Sequence, residues 1–261
     1  MLNMHPIALQ IGSFAIRWYG VMAALGMLAA SFLLNSNAKY TGMTKEQCGN
    51  ALIVALVGGI LGARIFYVVQ FFDLYRNNLL EVFRIDKGGL VFYGGFILAM
   101  ILLYIYSRIA KLDIFRVLDN FTPALAVAHA FGRIGCFLNG CCFGKPTELC
   151  IGVTYPAGSA PAVRYGGVPL HPVQLYEAGE NLLCAVLYFH LVRKAPRGVA
   201  VSTYFIVYGV LRFVNEFARG DHKLILGLFT PAQLIGIFII AAGSAMLAWF
   251  LRHKEPKVAQ N

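Results

Sequence analysis

Residues 49–70 read GNALIVALVGGILGARIFYVVQ, twenty-two positions with one charge, Arg64. At ~1.5 Å per residue, a helix of that length covers a hydrocarbon core of ~30 Å. Working outward, six further apolar stretches of similar length occupy 13–34, 89–109, 117–138, 172–192, 198–217 and 229–251. Gly58-Gly59 and Gly94-Gly95 inside them suit close helix approach in lipid. The whole chain agrees. Of 261 residues, 59% are hydrophobic and only 13% charged, and the mean hydropathy is +0.67. Soluble domains average ~45–50% apolar with Gly included and ~25% charged. A soluble fold of this size has too little interior for that much apolar surface. Intrinsic disorder and a disulfide-stapled secreted module are excluded with it. The expectation is an all-α polytopic membrane protein with seven transmembrane helices in one integral membrane domain. The first basic residue is Arg17, so no basic signal leader is expected and the first span is read as retained.

Charge outside the spans orients them. Lys39, Lys45, Arg108, Lys111, Arg116, Arg193, Lys194, Arg197, Arg252, Lys254 and Lys257 fall on one side with Glu46, Asp113 and Glu255. Arg76, Arg84, Lys87, Lys145, Arg164, Arg219 and Lys223 fall on the other with Asp73, Glu81, Asp86, Glu148 and Asp221. Eleven Lys and Arg against seven put the first set in the cytoplasm by the positive-inside rule. The N-terminus is then outside and the C-terminus cytoplasmic. The longest connection, 139–171, becomes a small periplasmic head between helices four and five. The net charge of +10 is dispersed, not gathered into a basic face, so no nucleic-acid partner is expected.

Arg17, Arg64, Arg133, Arg212, Asp119, Glu177, Glu180 and Glu216 are left within or at the ends of spans. An ionisable group there costs at least ~2.5–3.5 kcal/mol at a helix centre and marks a functional site by default. Arg64, Arg133 and Arg212 stand 15, 16 and 14 residues past the cytoplasmic starts of their spans, or about 21–24 Å up. Arg17, Tyr19, Tyr93 and Glu177 lie four to six residues below the outer edge, or about 6–9 Å. The two sets meet at one level in the outer half of the membrane. Arg17 is near enough to the edge to snorkel. Tyr208, Arg212, Asn215, Glu216 and Arg219 form one polar stripe on helix six; His129, Arg133 and Cys136 form another on helix four; Gln174, Glu177 and Asn181 share a face after Pro172. Deep guanidiniums with too few carboxylates want an anion, and phosphate fits their fork bidentately. Phospholipid headgroups supply phosphate at that depth, so the residues point to binding of phospholipid from the outer leaflet.

The stretch GRIGCFLNGCCFG at 132–144 resembles the signature G-R-x-G-[NC]-F-x-N-G-x-x-[WFY]-G of the prolipoprotein diacylglyceryl transferases, bacterial inner-membrane enzymes. RWYG at 17–20, GGLVFYGG at 88–95, HPVQLYE at 171–177 and YGVLRFVNEFAR at 208–219 resemble the family's other blocks, in the same order along nearly the whole chain. The resemblance implies a multi-pass enzyme of the bacterial cytoplasmic (inner) membrane. Its substrates would be phosphatidylglycerol from the membrane lipid and preprolipoprotein signal peptides carrying a lipobox cysteine. It would transfer an sn-1,2-diacylglyceryl group to that thiol and release glycerol phosphate. Such chemistry needs a deprotonated thiol and cations on the leaving phosphate, but no metal, nucleotide or other cofactor.

On that resemblance Arg133 and Arg212 are assigned to the phosphate, with Asn139 and Tyr19 as donors and Gly140 and Gly144 allowing close backbone approach. Arg64, Gln174, Glu177, Tyr208 and Arg219 complete the expected substrate-binding set, and Glu216 is expected to orient Arg212 or Arg219. Two positions depart from the common pattern. Tyr93 stands where many members carry the His favoured as thiol base, and a phenol near pKa ~10 is a poor base unless arginines depress it. Tyr93 then hydrogen-bonds phosphate instead, with His171, Glu177 or the lipid phosphate taking the proton. Cys136 stands where others carry Asn. Cys136, Cys141, Cys142 and Cys150, with His129 and His171, match no C-x-x-C zinc spacing, so no metal is expected; Cys150 could pair with Cys141 or Cys142 where thiols are oxidised. The alternatives are an anion or lipid transporter and a non-catalytic phospholipid-binding relative, but neither inverted repeats nor a polar midplane is found.

Overall fold

A computed structural model of the protein describes residues 6–12, 14–76, 78–84, 88–220 and 228–253. Asp86, Lys87, Asp221, Lys223, Lys254, Glu255 and Lys257, used above to orient the chain, lie outside the described residues. Seven long helices are present among those residues: α1 Trp18–Thr41, α2 Lys45–Gln70, α3 Phe92–Ile109, α4 Ile114–Leu138, α6 Val173–Lys194, α7 Val199–Ala218 and α8 Pro231–Arg252. A short α5, Ala160–Tyr165, interrupts the connection between α4 and α6. Five helices (α1, α2, α3, α4 and α8) are long and apolar enough to cross a membrane. The chain is a polytopic helical membrane protein. The two long helices below that standard, α6 and α7, carry Glu177, Glu180, Arg212 and Glu216.

The all-α expectation is corrected at the start of the chain. Ile7–Ile11 (β1) pairs antiparallel with Phe14–Arg17 (β2), in a register that matches Ile11 with Phe14 and Gln10 with Ala15. Gly12, at φ 59°, turns the hairpin. Apolar character alone does not separate a strand from a helix start over so short a run. Arg17 therefore stands at the extended N-cap of α1, not one turn inside it.

Helix ends follow side-chain chemistry. Thr44 with Gln47 and Thr230 with Gln233 form capping boxes on α2 and α8, and Asp113 caps α4 by accepting from Phe115 and Arg116 amides. Asp119 does the same from a distance. From inside α4 its carboxylate accepts from the Gly198 N–H at 2.5 Å and the Val201 N–H at 2.9 Å, so one helix caps the start of another. Asn120, fully buried, donates to the Leu34 carbonyl at 3.3 Å and to Cys48 Sγ at 3.3 Å. Those bonds hold α1, α2 and α4 together.

Glycine sets the spacing of α2 and α3. A Cβ on Gly62 would lie 2.4 Å from the Gly94 carbonyl oxygen, and one on Gly94 would lie 2.4 Å from Phe66 Cβ. The backbones touch, which fixes the start of α3 and with it Tyr93. Gly62→Ala should therefore lower the thermal midpoint in detergent by an amount matching ~1–3 kcal/mol of overpacking. Gly59→Ala, whose added Cβ meets nothing within 4 Å, should leave it unchanged or raise it. Equal midpoints for the two variants would refute a backbone contact at Gly62.

Candidate functional site

Arg133 lies five residues before the end of α4, Glu177 four residues into α6, and Arg212 six residues before the end of α7. Helical rise puts all three within about 6–9 Å of those ends, and the ends converge. Glu177, 3% exposed, is the centre. Its Oε2 forms an ion pair with Arg133 Nε at 2.5 Å, and its Oε1 accepts a hydrogen bond from Arg219 Nη1 at 3.4 Å. Arg219, at the C-cap of α7 and itself buried, also reaches Glu216 Oε2 at 3.8 Å. Arg212 Nη1 lies 2.6 Å from the same Glu216 oxygen, one turn back. Three guanidiniums thus share two carboxylates in a buried network across α4, α6 and α7.

The arginines use little of their forks. Arg133 donates a hydrogen bond to His129 (3.0 Å) through Nε, and its two terminal amino groups make no hydrogen bond among the described residues. Arg212 is paired with Glu216 through charge, and its Nη1 makes no hydrogen bond among the described residues. Donors left over on two adjacent guanidiniums suit an oxyanion that accepts two parallel N–H bonds. A small cavity beside Arg212 is lined by His129, Glu177, Asn181, Tyr208, Arg212 and Asn215. Tyr208 stacks on Tyr204 at 5.6 Å between ring centroids and stands 5.9 Å from the His129 ring.

The signature segment after α4 forms the roof. Asn139 is the C-cap of α4, and Gly140, at φ 68°, turns the chain. Gln174, fully buried, donates to the Cys141 carbonyl at 2.6 Å and to the Tyr155 hydroxyl at 3.1 Å. Burial raises the Tyr155 phenol above its ordinary pKa, keeping it a neutral partner. Gly144 is the knot. Its N–H donates to the His171 carbonyl at 3.1 Å, Lys145 N–H donates to the Ala218 carbonyl at 2.8 Å, and a Cβ on Gly144 would lie 2.5 Å from the His171 oxygen. The space beside Gly144 is therefore taken by protein backbone, not left open for a ligand. Phe143, Tyr155 and Leu170 make a small apolar core inside 139–171, so the segment is folded.

Three predicted site residues stand apart from this network. Arg64 donates to the carbonyls of Glu81 (2.8 Å), Val82 (2.6 Å), Gly88 (3.0 Å) and Gly89 (3.1 Å), and stacks on Tyr75. It anchors the connection between α2 and α3. Tyr93 is 51% exposed on the first turn of α3, its ring against Phe92. His171 is held near α6 by Tyr176, whose hydroxyl is 3.2 Å from His171 Nδ1. Tyr19 packs beside Gly135, two residues past Arg133 on α4, where an added Cβ would lie 3.2 Å from its ring.

Two contributors were not assigned from sequence. His129 accepts from Arg133, and Glu180 accepts from Asn215 at 2.6 Å. The i, i+4 spacing of His129 and Arg133 and the shared stripe of Asn215 and Arg212 are the signals that carry them. Six described cysteines are free, Cys150 is exposed, and Cys136, Cys141 and Cys142 come together.

A family model described as prolipoprotein diacylglyceryl transferase matches residues 6–249. A protein of Clostridium tetani named phosphatidylglycerol–prolipoprotein diacylglyceryl transferase is 37% identical over 242 residues, which is 92% of this chain and 95% of that protein. One of the same name from Finegoldia magna is 36% identical over 242 residues, 92% and 93% of the two chains. A third, numbered 2 of that name in Clostridium perfringens, is 34% identical over 236 residues, 90% and 91%.

Because Arg64 spends its donors on carbonyls, Arg64→Ala should speed amide hydrogen exchange across residues 78–84 and 88–91 by at least about tenfold, one lost charged hydrogen bond being worth ~1.5–3 kcal/mol. Unchanged exchange would mean that Arg64 is not the anchor of this connection.

Proposed function

The chain belongs to the prolipoprotein diacylglyceryl transferase family and is a transferase; on that premise we propose how its residues carry the reaction. The substrates are phosphatidylglycerol and the lipobox cysteine of a preprolipoprotein. The cysteine sulfur attacks the glycerol carbon that bears the phosphate. A C–S bond forms, the C–O bond breaks with its electron pair on the phosphate oxygen, and glycerol phosphate leaves. The observation that carries this reading is the pair of guanidiniums on Arg133 and Arg212, each paired with a carboxylate while making few hydrogen bonds of its own. Charge builds on the phosphate as the C–O bond breaks, and donors fixed beforehand in a water-poor site stabilise that charge most.

Glu177 and Glu216 are positioning residues, since their carboxylates are occupied by arginines. Glu177 is paired with both Arg133 and Arg219. The thiol proton passes to the departing phosphate, whose monoester form is the stronger base, and no resident base is needed. Tyr93 then serves as a phosphate hydrogen-bond donor, with Tyr19, Asn139, Gln174 and Tyr208 shaping the headgroup pocket.

All seven long helices cross the bacterial inner membrane in this reading, N-terminus outside and C-terminus in the cytoplasm, with 139–171 as the periplasmic head. The positive-inside count supports that orientation. The clustering of Arg133, Glu177, Arg212 and Arg219 at adjoining helix ends agrees with a site open to the outer leaflet.

The test is mass spectrometry of a lipobox peptide incubated with purified protein and phosphatidylglycerol. Diacylglyceryl gain on the peptide cysteine is expected. Arg133→Ala and Arg212→Ala should each lower kcat at least ~100-fold, the usual loss for an anion-stabilising donor. His171→Ala and Tyr93→Phe should stay within roughly tenfold and keep the pH profile, since neither takes the thiol proton. Near-normal turnover in either arginine variant would refute the clamp; a lost basic limb in either of the others would reassign the base.

A further inference from the structure

The Sγ atoms of Cys136, Cys141 and Cys142 all lie within 4.8 Å of one another. These residues are i, i+5 and i+6, a spacing that matches no zinc-knuckle pair. The backbone makes the convergence. Cys136 sits near the end of α4, Asn139 caps the helix and Gly140 at φ 68° reverses the chain. Cys142 then adopts φ 59°, a left-handed conformation that a residue with a Cβ takes up at a cost. Cys141 Sγ is within 3.6 Å of the Cys136 carbonyl oxygen, which closes the turn over the helix end. All three are partly buried, and the exposed Cys150 is not part of the group.

We propose that Cys136, Cys141 and Cys142 form a three-thiolate site for a soft d10 cation, Cu(I) foremost. Bonds of ~2.3 Å from sulfur to a metal in a trigonal plane put the sulfurs about 4.0 Å apart, so small side-chain rotations bring the three into place. Among the described residues no His or carboxylate joins the group. Zinc therefore lacks the fourth protein ligand its structural sites use, whereas a soft monovalent ion is satisfied by thiolates alone. Binding displaces the three thiol protons. The loaded site carries two net negative charges, and Arg219 and Arg133 lie near enough to act on Cys142 and offset them. The inference is independent of the transferase reading, because its readout is the metal.

The experiment uses the full chain in detergent, reduced and freed of reductant, titrated with Cu(I) held by a chromophoric chelator. Wild type should withdraw one equivalent, with thiolate-to-copper charge-transfer absorbance in the ultraviolet. Cys142→Gly removes a sulfur while suiting the positive φ, so it keeps the fold, and it should weaken binding at least ~100-fold. Cys150→Ser should bind like wild type. Failure of wild type to compete with the chelator, unchanged binding by Cys142→Gly, or loss of binding in a folded Cys150→Ser protein would each overturn the site. So would four reactive thiols instead of six in the unfolded, unreduced protein, since two of the sulfurs would then be tied up as a disulfide.

Discussion

Glu177 lies in the interior of a helix bundle with Arg133 on one side and Arg219 on the other, and the architecture around the site follows from keeping that carboxylate where it is. A guanidinium taken out of water alone costs several kcal/mol. Two of them around one carboxylate are tolerable only if three helix ends stay within hydrogen-bond reach. The carboxylate comes from α6, one arginine from α4 and the other from the cap of α7. Moving any of these ends exposes an unpaired charge to low dielectric, so the helices are locked by electrostatics where small apolar contacts alone would let them slide. The same sharing leaves more cationic donors than the acids use, which is the property an anion site requires.

Arg64 and Arg133 make an instructive pair. Both stand at nearly the same expected depth in apolar helices, and neither is exposed to water. Arg64 spends four of its five N–H donors on backbone carbonyls of one connection. Arg133 meets a carboxylate and a histidine at Nε. A guanidinium surrounded by carbonyls is a tether, because those acceptors are fixed and leave it little to offer. One held by an edge keeps directional donors in reserve. Depth alone does not separate the two roles; the neighbours of each nitrogen do.

That contrast also measures what the sequence contains. The meeting of Arg133, Glu177 and Arg212 was legible, because helical rise and span direction put them at one level and the rise of a helix does not depend on tertiary context. The segments that escape such counting are those governed by turns. Strand β2 reads as the start of the 13–34 span, and its pairing back onto β1 through Gly12 has no counterpart in the apolar pattern. The carbonyls around Arg64 come from an irregular connection whose path no periodicity encodes. The cysteine triangle depends on two left-handed positions either side of Cys141, Gly140 and Cys142, one of them at a residue type that seldom adopts that conformation.

Helices α6 and α7 bear most of the network's charges and are the two long helices too polar to meet the standard for a membrane span on their own. Their buried charges are met from a neighbour: Arg133 on α4 pairs with Glu177, and Asp119 on α4 satisfies the opening amides of α7. That neighbour precedes them in the chain. A defect in α4 would therefore strip both later helices of polar partners at once, so the most polar part of the bundle depends on a scaffold encoded ahead of it.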